Sequence, residues 1–134
     1  MGDDGKIRVL LADDEVHIRY MIRNIVNGEG FVVVGEANNG EDALALYRKF
    51  RPDLTLMDIN LPLMNGDEVL AEIMREDPDA NVVLLPMVAD VETVRRCLEL
   101  GAANYILKSN PSDTIRKLLH EVMHPEASEE EPET

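Results

Sequence analysis

The sequence predicts an α/β domain: one doubly wound parallel sheet of five strands, with five helices packed on its two faces. Five short runs rich in β-branched residues and leucine are almost continuously apolar, as strands covered on both faces must be. Between and after them lie five segments whose apolar residues recur at helical spacing, and such alternation makes a parallel sheet. The length agrees, since 134 residues make one ordinary domain with no room for a second of typical size.

The first strand is predicted over residues 7–12. Ile18, Met21, Ile22, Ile25 and Val26 then make a helical stripe that Asn27-Gly28 ends. A second strand at 31–35 precedes the stripe Ala43, Leu46, Tyr47 and Phe50. Glu41 and Asp42 suit that helix's positive start, and Pro52 stops it. The third strand, 54–57, is followed by Val69, Leu70, Ile73 and Met74, closed by Asp77-Pro78. The fourth, 82–85, leads to Val91, Val94, Cys97 and Leu98, with Gly101 after the helix end. The fifth, 105–107, leads to Ile115, Leu118, Leu119 and Val122, with Asn110 as N-cap and Pro111 at the first helical position.

Composition narrows the function classes. The net charge is −14, from 13 basic and 27 acidic side chains, which disfavours direct binding to nucleic acid or to an anionic membrane surface. Five of those excess charges are glutamates in EASEEEPET, so the domain of residues 1–125 carries −9, and the acidic tail 126–134 is expected to be disordered or to start a linker. No apolar run approaches a membrane span, and MGDDGKIRVLLADDE lacks a signal-peptide pattern. The single cysteine, Cys97, lies on a helical stripe and is expected to be a packing residue. A soluble, cytoplasmic protein is the expectation.

Ligands in open parallel sheets bind beyond the carboxyl ends of the strands. Asp13, Asp14 and Glu15 follow the first strand, Asp58 the third and Lys108 the fifth. Three aspartates brought together repel unless a cation or protons neutralise them, and hard oxygen ligands in a half-open cluster suit Mg²⁺. Lys108 adds a point charge for an anion beside the metal. Asp14 or Glu15 alone reads equally well as the acidic start of a helix; the combination with Asp58 and Lys108 does not.

With VLLADDE at the first strand, LMDINLPLMNG around Asp58 and GAANYILK leading to Lys108, the chain resembles the receiver domains of two-component response regulators over residues 6–123. The resemblance implies the flavodoxin-like strand order 2-1-3-4-5. It makes Asp58 the phosphoryl acceptor, supplied by a histidine kinase or histidine phosphotransfer protein. Asp14, Asp58 and the backbone carbonyl of Asn60 would bind Mg²⁺ directly, with Asp13 holding a metal water. Lys108 would pair with the phosphoryl oxygens, and Pro62 and Gly66 would shape the turn beyond Asp58. The output face, taken up by an effector protein, a missing output domain or a phosphorylation-linked homodimer, would span residues 91–100, 104–107 and 111–123. Arg95, Arg96 and Lys117 lie on its helices.

One position departs from the pattern. Receivers end the fourth strand with Thr or Ser, whose hydroxyl bonds the phosphoryl group and couples it to an aromatic on the fifth strand, here Tyr105. The matching residue is Pro86, which has no hydroxyl and no N–H. The backbone N–H of Met87 remains to meet a phosphoryl oxygen, while the switch would be weakened or rewired. Tyr105 reads equally as a packing residue. By the same resemblance, the Lys108–Ser109 bond is expected to be cis. His17, His120 and His124 read as surface residues, and the seven methionines as core filler.

Three rival readings follow: a receiver excised from a DNA-binding regulator, a phosphorylation-independent interaction module in which Pro86 marks a degenerate switch, and a Mg²⁺-dependent phosphohydrolase. The last needs a second acid two residues after its nucleophile, and that residue is Asn60.

Overall fold

A computed structural model describes residues 5–88 and 90–124; the acidic tail lies outside them. Its elements alternate strictly: β1 (Arg8–Ala12), α1 (Val16–Gly28), β2 (Val32–Ala37), α2 (Gly40–Phe50), β3 (Leu54–Met57), α3 (Gly66–Glu76), β4 (Val82–Leu84), α4 (Val91–Leu100), β5 (Asn104–Tyr105) and α5 (Ser112–Met123). All four strand pairings are parallel, as the alternation of runs and helical segments predicts, and their order β2-β1-β3-β4-β5 is the one the receiver resemblance implies.

The continuous apolar runs arise because both faces of the sheet are covered. Val9 and Leu11 point toward α1 and α5 with Ile22, Ile25, Ile115 and Leu119. Leu10 and Ala12 point the other way, toward α2, α3 and α4 with Leu44, Val69, Leu70, Ile73 and Cys97. Successive side chains of β1 therefore serve two separate cores, and every residue from Val9 to Ala12 is fully buried. Cys97 is buried among apolar neighbours, which pushes its thiol pKa up and makes it the packing residue expected.

Local chemistry sets the helix ends. The Asn39 side chain accepts the Asp42 amide at 2.8 Å to cap α2. Glu68 reaches back to the Asn65 amide at 3.1 Å to start α3. Three boundaries depart from expectation. β2 runs on through polar Glu36 to Ala37, because the Glu36 side chain faces Arg19 and Arg23 of α1. Ladder geometry in β5 covers only Asn104–Tyr105, although the Ile106 amide still donates to Leu84. Pro111, not Asn110, is the N-cap of α5, since the Asn110 amide is turned back to Leu107.

Candidate functional site

Asp13 and Asp58 each sit one residue past a strand and Lys108 three past β5, and all three amides still bond to a neighbouring strand or its end. Asp13 N–H donates to Ala37 at 3.0 Å and Asp58 N–H to Ala12 at 2.9 Å. Lys108 N–H donates to Pro86 at 2.9 Å. Main-chain bonding aims the side chains before any of them interact, and the sheet edge becomes a scaffold for charge.

The three carboxylates predicted from sequence do meet. Asp13, Asp14 and Asp58 each offer an oxygen within 4.8 Å of the others. Asp13 and Asp58 are buried, whereas Asp14 faces solvent. Lys108, only 6% exposed, places its Nζ 2.9 Å from Asp13, 3.0 Å from Asp58 and 3.3 Å from Glu15. Burial alone would lower the ammonium pKa, but hydrogen bonds and charge from Asp13 and Asp58 raise it above its ordinary value. Burial raises the pKa of Asp13 in spite of bonds from the Glu15 amide and Lys108, with Asp58 adding to the rise. One lysine does not neutralise this cluster. A hard, oxygen-seeking divalent cation fits the donor set.

The loop carrying Asp58 is pinned. The Gly66 amide donates to Ile59 at 2.7 Å, and a Cβ at Gly66 would lie 2.3 Å from the Asp58 carbonyl oxygen. The Gly40 amide donates to Pro62 at 3.1 Å, and a Cβ there would stand 1.8 Å from the Met64 carbonyl oxygen. Between these anchors Met64 N–H closes on Pro62 at 2.7 Å around Leu63, whose φ of 71° is left-handed. The Asn60 amide approaches Asp58 Oδ1 at 3.4 Å.

Pro86 is buried at the end of β4, and Met87 beside it is exposed. Tyr105 is half-buried and packs against the α2–α3–α4 side of the core. No cis peptide bond occurs among the described residues, so the expected cis Lys108–Ser109 bond is corrected to trans, the intrinsic preference of a non-proline peptide. His17 and His120 are exposed and His124 half-buried.

Two contributors were not singled out from sequence, Arg19 and the Ser109 hydroxyl, and a third, Glu15, was named after the first strand without its lysine contact. Glu15 accepts from the Lys108 ammonium at 3.3 Å. Arg19 donates to the Asp13 carbonyl at 2.7 Å while its Nε holds Glu36 at 3.2 Å, which steadies the β1–α1 turn. Ser109 donates its hydroxyl to the Met87 carbonyl at 2.9 Å. Arg19 and Arg23, four apart on one helix, were the legible signal for a carboxylate partner on the neighbouring strand.

Residues 9–120 match the family model of the response regulator receiver domain. The chain belongs to that family. It is 36% identical over 112 residues to the chemotaxis protein CheY of Thermotoga maritima, covering 83% of this chain and 93% of the relative. It is 34% identical over 114 residues to the transcriptional regulatory protein DegU of Brevibacillus brevis, covering 84% of this chain but 48% of that longer protein. The structure of a CheX–CheY complex with BeF3 and magnesium from Borrelia burgdorferi superposes with a TM-score of 0.80. That match is 32% identical and covers 91% of each chain. Phosphoryl acceptance is what receiver domains do, and the acidic pocket of this receiver is compatible with Mg²⁺.

Proposed function

We propose that this receiver takes a phosphoryl group onto Asp58 from a phosphohistidine of a histidine kinase or phosphotransfer protein, in the cytoplasm and with Mg²⁺. The observation that carries the reading is the buried Lys108 ammonium, held between Asp13 and Asp58 beside a third carboxylate. Asp14, Asp58 and the Asn60 carbonyl would hold the ion directly, and Asp13 through water. When bound, Mg²⁺ offsets charge on the equatorial oxygens of the transferring group.

The chain's own residues do the rest. Asp58 supplies the carboxylate oxygen that forms the new O–P bond. The P–N bond of the donor breaks, its electron pair leaving with the imidazole, which gains a proton from solvent. Lys108 follows the charge: its ammonium turns from the Asp58 carboxylate to a phosphoryl oxygen. Met87 N–H donates to another. Asn60 supplies no second acid, so hydrolysis of the acyl phosphate is slow and the domain signals rather than turns over.

The output reading rests on α4, β5 and α5. Val91 and Leu98 are exposed on α4, and a groove of about 800 Å³ runs along the outer edge of β5 past Tyr105, Leu118 and Val122. An effector protein, an output domain in a longer chain or a second phosphorylated copy would engage there, with Tyr105 and Pro86 setting the coupling.

The test is Mg²⁺-dependent labelling with a small acyl phosphate, located by mass spectrometry. Label on Asp58, absent from Asp58→Asn and after chelation, is expected; label elsewhere or none overturns the assignment.

A further inference from the structure

The phosphoryl reading gives no work to the Ser109 hydroxyl, which bonds the Met87 carbonyl beside Pro86. In the parallel ladder, the Leu85 amide points to β3, where it donates to Met57 at 2.8 Å. Pro86 points the other way, and its carbonyl accepts the Lys108 amide at 2.9 Å. The Pro86 carbonyl and the Met87 N–H share one trans peptide plane and point in opposite directions. Met87 N–H therefore faces β3, at the level where that strand has turned off into the Asp58 loop. The carbonyl that would continue the ladder, Ile59, instead accepts the amides of Leu61 and Gly66. Among the described residues Met87 N–H donates to no backbone carbonyl.

The proline's missing N–H lies on the β5 side of β4, so the strand end is one ladder bond short there. Ser109 supplies a bond across that same gap, from its hydroxyl to the Met87 carbonyl at 2.9 Å. Lys108 and Ser109, consecutive in the chain, thus hold two consecutive carbonyls, those of Pro86 and Met87. Both peptide planes flanking the Met87 Cα are set from the segment that follows β5.

We propose that Ser109 is a positioning residue for phosphoryl binding: its hydroxyl holds the Met87 carbonyl, fixing the peptide plane after the Met87 Cα as Lys108 fixes the plane before it, so that the Met87 N–H stays aimed at the group on Asp58. This rests on the phosphoryl reading and assigns that site a part on which the reading itself does not depend.

The experiment compares wild type, Ser109→Ala and Ser109→Thr in two titrations, Mg²⁺ alone and beryllofluoride at saturating Mg²⁺. Both are followed by amide shifts that include Met87. Ser109→Ala is expected to weaken beryllofluoride about five-fold, with Mg²⁺ affinity within about two-fold of wild type. Ser109→Thr, which keeps the hydroxyl, should restore the affinity and the Met87 shift. Beryllofluoride binding to Ser109→Ala as tight as wild type overturns the proposal, as does an equal loss of Mg²⁺ and beryllofluoride or no recovery in Ser109→Thr. Wild type that binds no beryllofluoride sinks the Asp58 reading itself, an outcome distinguishable from all of these.

Discussion

The two loops that border Asp58 are held in different ways. The loop after β3 is held by two glycines at which no side chain fits. Gly66 ties the loop's end back to Asp58 and Ile59, and Gly40 of α2 bears on its middle at Pro62 and Met64, where a three-residue turn closes the tip. The loop after β4 is tethered through Pro86 and Met87 by one main-chain bond and one serine hydroxyl, and its Met87 and Val88 side chains lie 46% and 67% exposed. The carboxylate proposed to react, Asp58, is immobilised, while the described residues beside it, Met87 and Val88, leave their side chains exposed. A switch needs both properties, and they come from different local sequences: two helix-opening glycines in one case, a proline and exposed apolar residues in the other.

The largest expected effect breaks the rigid side. Gly66→Ala would drive a methyl into the Asp58 carbonyl, costing about 2–4 kcal/mol in urea denaturation and lowering the phosphorylation rate. An unchanged midpoint would mean that the loop yields as easily as its neighbour.

The pocket between the loops should be a net cost to the empty fold. Asp13→Asn removes one of three crowded carboxylates, and without Mg²⁺ it is expected to raise stability by about 1 kcal/mol. Adding Mg²⁺ should stabilise wild type more than this variant. A destabilised Asp13→Asn would show that the lysine clamp outweighs the repulsion.

The rigid side extends behind α2 and α3, where the buried Tyr47 hydroxyl donates to Asp77 at 2.7 Å. Burial and that bond push the Tyr47 pKa up to about 12 from 10.0. Its contribution is whole below pH 10 and is lost as pH rises through about 12. Tyr47→Phe should therefore cost about 1 kcal/mol at pH 8, with the gap closing across that window. A gap that persists would assign the loss to packing.

The smallest effect falls on the loose side. Pro86→Thr should change stability by only about 0.5 kcal/mol, because the end of β4 already lacks a ladder bond there. Amide shifts in α4 on adding beryllofluoride with Mg²⁺ should exceed those of wild type. Equal shifts would show that Pro86 does not limit the coupling.

The same contrast explains what the sequence disclosed. Five apolar runs revealed the sheet because burial on both faces leaves an uninterrupted hydrophobic signature, and the acids were legible because a strand's end is marked by where its run stops. Glu36 escaped because it extends an edge strand with a polar residue whose partners, Arg19 and Arg23, lie on another element. Ser109 escaped for a related reason. Its partner is a main-chain carbonyl 22 residues away, and carbonyls carry no sequence signal. The extent of β5 was misjudged because Ile106 keeps one ladder bond without continuing the strand.

The lysine that calms the pocket lies 95 residues from Asp13 and 50 from Asp58. A ribosome releases the chain in order, so β1 can pair with β3 well before residue 108 has been made. Until then two carboxylates face one another with only solvent cations between them. Such long-range closure is slow to form, and here the segment that follows the sheet's last strand also carries the counter-charge. Addition of β5 to the sheet and delivery of the pocket's buried positive charge are a single event in folding time.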